Sequence, residues 1–257
     1  LILDATFNTP YLLKPLEHGA SIVVHSLTKW IGGHGIAIGG AVLDGGRFDW
    51  GASDKFPTIA SAHYAMDGIN FYEEFGPTAM TAKLRAEMMY NFGPCLSPTN
   101  AFHLLQGIET LPLRMQRHIE NTNALLSYLS AHDDVAWVRH PHLETHPQHE
   151  LAKRLMPKGA GSIITFGVKG GRDAGRAFIE AVELSSHLAN VGDAKTLVIH
   201  PASTTHSHID PEAMKDGGLS DDMIRLSVGL EDIEDIKADF DVGFKAAKRL
   251  IAPRAAE

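Results

Sequence analysis

The stretch "HSLTKWIGGHG", His25–Gly35, sets one lysine behind two hydroxyl residues and ahead of a run of glycines. It follows a short apolar run typical of a buried strand, and a lysine amine shielded from water at such a strand end is a nucleophile suited to bonding with a carbonyl carbon. The Ser26 and Thr28 hydroxyls can donate to a phosphate, and the glycines let the backbone come close to a ligand. Lys29 is therefore a candidate catalytic residue, the alternative being a solvated loop lysine.

Two charged residues elsewhere in the sequence fit the same kind of ligand. Asp4 ends the apolar run "LILD", one strand before Lys29, and a carboxylate at that position can keep a pyridine nitrogen protonated. Arg225 stands inside the apolar run "MIRLSVG", where its forked guanidinium suits a carboxylate. The alternatives are a strand-end cap for Asp4 and a structural ion pair for Arg225.

Apolar runs and helix signals together predict an α/β protein. The first run, at residues 1–4, is typical of a buried parallel strand already under way, so we expect strands upstream of it to be missing from this sequence. Residues 44–72 are expected to form loops with short helices, and the tail at residues 252–257 to be loose. The sequence predicts strands at residues 1–4, 21–26, 39–43, 161–168 and 223–229, and helices at residues 78–92, 97–105, 113–131, 172–183 and from Glu231 onward.

The composition narrows the classes of partner and compartment. A formal net charge of −8 over 257 residues does not favour a nucleic-acid backbone or an anionic membrane as a partner. Cys95 is the single cysteine of the sequence, which excludes an internal disulfide and favours a reducing compartment, so we expect a cytoplasmic protein. No apolar run reaches the roughly 18 residues of a membrane span, so we expect no transmembrane segment.

Three other motifs are weaker. "GGHGIAIGG" at residues 32–40 resembles a dinucleotide fingerprint, but Ile38 stands where the third glycine belongs. Ser26 and Lys29 match the S-x-x-K motif of serine acyl-transfer enzymes, although the companion K-T-G and S-D-N motifs are missing. A polar loop is favoured over a metal site for the cluster formed by His200, His206, His208 and Asp210.

The sequence as a whole resembles the pyridoxal 5'-phosphate (PLP) enzymes of cysteine and methionine metabolism, the cystathionine γ-synthase-like family. The resemblance covers essentially the whole chain and implies the C-terminal part of a fold-type I PLP-dependent transferase. On that basis we expect an incomplete, mostly parallel sheet in a large domain at residues 1–109 and a smaller α+β domain at residues 110–257. The matching stretches begin "LDATFNTPYLL", "LSPTNAFHLLQ", "HLANVGDAKTL" and "IRLSVGLEDI", at residues 3, 96, 187 and 224.

The resemblance implies a set of residues around the cofactor. Lys29 corresponds to the catalytic lysine that bonds covalently to PLP, and Asp4 to the carboxylate on its pyridine nitrogen. Ser26 and Thr28 correspond to phosphate ligands, and Thr6 to a residue near the ring. These five residues are therefore the expected cofactor-binding residues, and no metal site is expected.

The resemblance also implies how the substrate is held. Arg225 corresponds to the arginine that binds the substrate α-carboxylate, and Asn190 in "LANVGD" to a neighbouring contact of the same carboxylate. One departure is Ala5, which stands where the family pattern usually has asparagine.

Within the family, "HLANVGDAKTL" resembles the sulfhydrylases, which implies replacement of acetate in O-acetyl-L-homoserine by sulfide or a small thiol to give homocysteine. Cystathionine γ-synthase, methionine γ-lyase and O-succinylhomoserine sulfhydrylase are alternatives with the same cofactor. Alternatives of another class are a serine acyl-transfer enzyme built on Ser26 and an inactive fragment. The resemblance further implies a homotetramer with sites shared between subunits.

Overall fold

The computed structural model describes residues 1–251 and the side chains of all of these except Pro211 and Ile251. The predicted loose tail at residues 252–257 lies outside the described residues. All five predicted strands are present, and three short strands between residues 135 and 199 were missed. The strands are β1 Ile2–Asp4, β2 Ile22–Ser26, β3 Gly40–Asp44, β4 Val135–Arg139, β5 Ile163–Val168, β6 Ser186–His187, β7 Leu197–Ile199 and β8 Met223–Ser227.

Helices lie between most of these strands, and the longest lies at the middle of the chain. The α-helices of the described part are α1 Thr9–Leu12, α2 Pro57–Ala60, α3 Phe71–Phe75, α4 Ala79–Lys83, α5 Tyr90–Phe92, α6 Pro98–Ala131, α7 His149–Leu155, α8 Gly171–Ala181, α9 Pro211–Asp216 and α10 Ile233–Ile251.

The strands form two sheets. The first has the order β1-β2-β3, with β1 and β2 parallel and β3 antiparallel to β2. The second has the order β4-β5-β8-β7-β6, in which the edge pair β6 and β7 is parallel and the other pairs are antiparallel. The prediction that the first run is buried is wrong for Leu1 and Ile2, which are 73% and 64% exposed because no described strand flanks β1 on its outer side.

One predicted pair of helices is a single helix. The sequence predicts helices at residues 97–105 and 113–131, whereas α6 runs unbroken for 34 residues and contains Pro112. A proline removes one backbone donor, and the apolar face around it compensates because Leu111 and Met115 stay buried on either side. The helix runs through the boundary at residues 109 and 110, so the division into two domains stays a prediction.

The predicted helix at residues 78–92 is confirmed, with a change of pitch in its middle. The α4 helix passes into a π-helical turn, Leu84–Met89, and then into α5. The helix ends where Gly93 takes a left-handed conformation at φ 63°, which an L side chain rarely adopts and glycine accepts without strain. The predicted short helices of residues 44–72 are also present as α2 and the start of α3.

The larger core lies between the second sheet and the helices α6, α8 and α10. The α10 helix begins two residues later than expected and buries Ile236, Phe240 and Phe244 against this core. Asp239, on the same helix, is also buried and accepts hydrogen bonds from the backbone amides of residues 183, 184 and 185 at 2.7 to 3.0 Å. A carboxylate that satisfies three amides fixes the turn after α8.

No helix within residues 1–251 is both long and apolar enough to cross a membrane.

Burial of His140 makes the stability of the fold depend on pH. Burial lowers the pKa of His140 to about 4, the charges of His142 and His146 act in the same direction, and the hydrogen bond to the Gly161 carbonyl acts in the opposite one. Its Nε2 lies 3.3 Å from the carbonyl oxygen of Gly161, and its Nδ1 accepts from the amide of residue 142, which suits the neutral ring. In the unfolded chain a histidine titrates near its ordinary pKa. Between that value and about pH 4 the unfolded chain therefore binds a proton that the folded chain does not. The free energy of unfolding consequently decreases as the pH is lowered.

We expect this one histidine to account for a loss of up to about 3 kcal/mol in unfolding free energy between pH 7 and pH 4. Urea unfolding of the wild-type protein and of His140→Gln at several pH values measures the difference, which is expected to shrink as pH falls. The matched control is His18→Gln, at an exposed histidine, for which the difference should stay constant. A His140→Gln difference that does not change with pH would contradict the prediction.

Candidate active site

The two parallel strands of the first sheet bring Asp4 and Ser26 to the same edge. Asp4 pairs with Val24 in the register of β1 and β2, so both strands end side by side. Thr6 ties these ends together, because its amide donates to Asp4 Oδ1 at 2.9 Å and its hydroxyl accepts from the Ser26 amide at 2.8 Å. The carboxyl ends of parallel strands in an α/β sheet are where ligands bind.

The chain turns sharply after β2, and Lys29 stands in that turn. The Lys29 amide donates to the Ser26 carbonyl at 3.3 Å, and the amides of Gly32 and Gly33 donate to the carbonyls of Leu27 and Lys29 at 2.7 Å. Gly33 has φ +70°, a conformation suited to glycine. The glycines that follow the lysine therefore close a compact turn and hold its backbone in place.

The structure brings together the Lys29 amine, Asn190 and Arg225, while their expected roles stay predictions. Lys29 Nζ donates to the Asn190 side-chain oxygen. Arg225 Nη2 donates to the backbone carbonyls of Ala189 and Asn190 at 3.0 and 3.3 Å. Asn190 therefore binds the lysine through its side chain and the arginine through its backbone.

The loop that carries Asn190 is anchored to the lysine turn and to strand β8. The amide of Ala194 donates to the Gly33 carbonyl at 2.9 Å, and the amide of Gly192 donates to the Ser227 hydroxyl at 3.0 Å. Gly192 also lies so close to the Trp30 ring that a Cβ there would stand 2.7 Å from it. These contacts connect the turn after Lys29 to strand β8, which carries Arg225.

The surroundings of Asp4 and Arg225 shift the pKa values of both side chains. Hydrogen bonds from the hydroxyl and the amide of Thr6 hold the pKa of Asp4 below its usual range, so the carboxylate is ionised at neutral pH. Burial lowers the pKa of Arg225; an arginine remains charged even so, and half-burial strengthens its attraction for a carboxylate.

Comparison with known proteins decides the family. The family model for the Cys/Met metabolism PLP-dependent enzymes matches residues 1–245. The chain belongs to this family. A crystal structure from Campylobacter jejuni, described as an O-acetylhomoserine (thiol)-lyase, superposes with a TM-score of 0.89 at 34% identity and covers 95% of this chain and 58% of that one. That structure contains a lysine bonded to pyridoxyl phosphate, and the prediction of a fold-type I architecture is confirmed.

Two curated relatives are more similar in sequence. Homocysteine synthase of Schizosaccharomyces pombe is 48% identical over 242 residues, which are 93% of this chain and 56% of the relative. O-acetyl-L-homoserine sulfhydrylase 1 of Thermus thermophilus is 47% identical over 240 residues, which are 93% of this chain and 57% of the relative. The chain thus spans little more than half the length of these relatives.

The residues of this PLP-family chain suit the cofactor. PLP needs an amine for its aldehyde carbon, an anion beside its pyridine nitrogen and donors for its phosphate. Lys29 has a suitable amine and Asp4 a suitable anion, and both stand at the same sheet edge; their roles in binding PLP stay predictions. Ser26 is half-buried beside them. The Thr28 hydroxyl spans the peptide groups around Gly39, at 3.3 Å from its carbonyl oxygen and 3.1 Å from its amide, so its role as a phosphate ligand stays a prediction.

His25 is a residue of the site that the sequence reasoning missed. It is buried on β2, burial lowers its pKa, and the charge of Asp4 acts on it in the opposite direction. Its Nδ1 is buried without a hydrogen-bond partner among the described residues. A polar residue at an otherwise apolar strand position, just before Ser26, is the signal that points to it.

The polar cluster at residues 200–210 has contacts of its own. His200 is fully buried, with Nδ1 2.8 Å from the Ser203 hydroxyl and Nε2 2.7 Å from the Asp221 carbonyl. Asp210 caps α9 by accepting from the amides of residues 212 and 213. Within residues 1–251 no group of three or more His, Cys, Asp or Glu residues is placed to hold a metal ion.

The close approach of α6 to the lysine turn makes Gly107 irreplaceable. A Cβ at Gly107 would stand 2.5 Å from the carbonyl oxygens of Ile31 and Gly32, and backbone atoms cannot move aside cheaply. Gly107→Ala is therefore expected to lower the free energy of unfolding by about 2 kcal/mol, although alanine in an open helix raises it by up to about 1 kcal/mol. Urea unfolding measures the change. Gln106→Ala, at the exposed neighbouring position, is the control, and a stabilised Gly107→Ala would disprove the close approach.

Proposed function

We propose that this chain carries the PLP-binding and catalytic lysine of an O-acetylhomoserine sulfhydrylase. The enzyme would replace the acetate of O-acetyl-L-homoserine by sulfide, breaking the Cγ–O bond and forming a Cγ–S bond, to give homocysteine. The observation that carries the proposal is the double role of Asn190, which binds the Lys29 amine and accepts from Arg225. A nucleophilic amine and a carboxylate-binding guanidinium thus stand on two sides of one residue. The names of the curated relatives support the reaction.

Lys29 is the residue that reacts. Bound PLP withdraws electrons from the substrate α-carbon, which makes its proton acidic. With PLP bound, the free Lys29 amine would accept that proton and later return it. In the chain without PLP the Lys29 amine donates to Asn190, and the same contact would orient the amine as proton acceptor once the substrate has released it.

The other residues bind and orient. Asp4 stabilises a proton on the pyridine nitrogen, since its own carboxylate is kept ionised by Thr6. Arg225 binds the substrate carboxylate through its fork and prefers a planar anion for that reason. Ser26 and Thr28 are proposed to donate to the phosphate, with Thr6 beside the ring. PLP supports several reactions on one substrate, so orientation of the breaking bond selects among them.

The proposed substrates are small molecules, and the larger assembly is a further part of the proposal. We propose a cytoplasmic homotetramer with sites shared between subunits. Large apolar side chains on α5 and at the start of α6 support an association surface, among them Phe92 and Phe102, which are 79% and 59% exposed.

The S-x-x-K alternative receives no support from the geometry. A serine acyl-transfer mechanism needs the lysine amine beside the serine hydroxyl to take its proton. The Lys29 amine instead donates to Asn190, on the other sheet's loop. This pairing favours the PLP function over serine acylation.

Absorbance spectroscopy of the purified full-length protein tests the cofactor link. We expect a visible absorbance band from PLP bound to Lys29, lost in Lys29→Ala because no amine remains to bond with the aldehyde. After borohydride reduction, mass spectrometry should find the added pyridoxyl phosphate on the peptide that contains Lys29. Lys55→Ala, at an exposed lysine, is the matched control and should keep the band. A protein that stays colourless with added PLP, and is labelled at Ser26 by a β-lactam, would overturn the proposal.

Competition between acceptors and esters tests the reaction. With O-acetyl-L-homoserine as donor we expect sulfide to be used with a kcat/KM at least on the order of tenfold higher than that of cysteine. Faster use of cysteine would identify a cystathionine-forming enzyme, and ammonia release without an acceptor would identify a γ-lyase. The same assay with the succinyl ester separates the two kinds of sulfhydrylase.

A further inference from the structure

Arg114 is a buried guanidinium held by backbone carbonyls. It lies on α6, is 7% exposed, and no carboxylate within residues 1–251 forms an ion pair with it. Its Nη1 donates to the Trp30 carbonyl at 2.7 Å, and its Nη2 donates to the carbonyls of Ile31 and Gly107 at 3.0 and 2.6 Å. Burying such a charge costs free energy unless its donors are satisfied. The three carbonyl oxygens provide the acceptors that offset this cost.

Two of the three carbonyls that Arg114 binds belong to the turn of Lys29. Trp30 and Ile31 are the two residues directly after the lysine. The turn also closes around the guanidinium, because a Cβ at Gly33 would overlap it. Carbonyls from three peptides converge on one fork, an arrangement that the single ammonium of a lysine cannot match.

The same face of α6 binds the segment after strand β8, which carries Arg225. His118 Nδ1 lies 2.7 Å from the Val228 carbonyl oxygen, and Asn121 Nδ2 donates to the carbonyls of Gly229 and Glu231 at 3.0 and 2.9 Å. Spacings of four and seven residues place His118 and Asn121 on the same side of the helix as Arg114. All three side chains are buried.

We propose that Arg114, His118 and Asn121 form a polar stripe that positions Lys29 relative to Arg225. One rigid helix face binds the carbonyls that follow the lysine at one end and those that follow the arginine strand at the other. The three residues do not touch the reacting atoms; they act through the backbone, as positioning residues. The catalytic consequence rests on the function proposed above, whereas the effect on the backbone does not.

Hydrogen exchange of the full-length protein without PLP is the first test. In Arg114→Lys the charge and most of the stem remain but the fork is lost, so we expect amides of residues 30–35 to exchange roughly tenfold faster while β5 and β8 keep their protection. Asp239→Asn is the matched control, since it weakens another buried side chain that binds three amides. It should speed exchange at residues 183–185 and leave residues 30–35 unchanged.

The steady-state kinetics of the holoenzyme separate the two ends of the stripe. Arg114→Lys is expected to lower kcat on the order of tenfold to a hundredfold, with KM for the amino-acid substrate changed less than about threefold. The reason is that Lys29 moves in this variant and Arg225 does not. Asn121→Ala is expected to raise KM on the order of tenfold with kcat nearly kept. A structural role alone would lower the active fraction in both variants and leave KM unchanged in each.

A milder variant covers the case in which Arg114→Lys does not fold. Thr110→Val removes only the hydroxyl that accepts from Arg114 Nε at 3.1 Å, at an exposed position, and should shift exchange at residues 30–35 in the same direction by about threefold. Exchange that speeds up uniformly across the protein, or a kcat equal to the wild-type value in folded Arg114→Lys, would overturn the positioning role. Local exchange in a protein that never binds PLP would keep the backbone role and reject the proposed function.

Discussion

The turn after Lys29 depends on one buried charge. The Arg114 guanidinium donates to the turn carbonyls of Trp30 and Ile31 and to the carbonyl of Gly107 on its own helix. The two turn carbonyls would otherwise lack these donors. An unsatisfied buried carbonyl and an unsatisfied buried guanidinium both cost free energy. The guanidinium and the carbonyls therefore hold each other in place, and the backbone of the adjacent Lys29 has a defined position.

A second constraint connects the two sheets. The loop through Asn190 is tied to Gly33 on one side and to Ser227 on the other, so Lys29 and Arg225 are held against each other across it. Trp30 of the lysine turn, Met115 of α6 and Val191 of the Asn190 loop pack together in one apolar cluster. Polar contacts set the direction of the functional groups here, whereas packing keeps water away from the backbone between them.

Local patterns explain why most elements were predictable and why α6 was not. Branched apolar runs identified β1, β2 and β3, and Gly93 marked a helix end that the structure confirms. The two helices predicted at residues 97–105 and 113–131 are one helix, although Pro112 within it lacks an amide donor. The apolar residues on both sides of Pro112 are buried. Tertiary packing outweighed the local signal. Strands β6 and β7 were missed because two or three residues carry no measurable period.

The sequence by itself determined which chemical groups are present: an amine after a buried strand, a carboxylate at the neighbouring strand end and a guanidinium inside an apolar strand. These follow from residue type and local pattern. Only the tertiary structure decided that Asn190 joins the lysine to the arginine, that Arg114 holds the lysine turn, and that His25 is buried beside Asp4. Those contacts join residues far apart in the chain, and no local pattern encodes them because they arise when the helix and both sheets pack together.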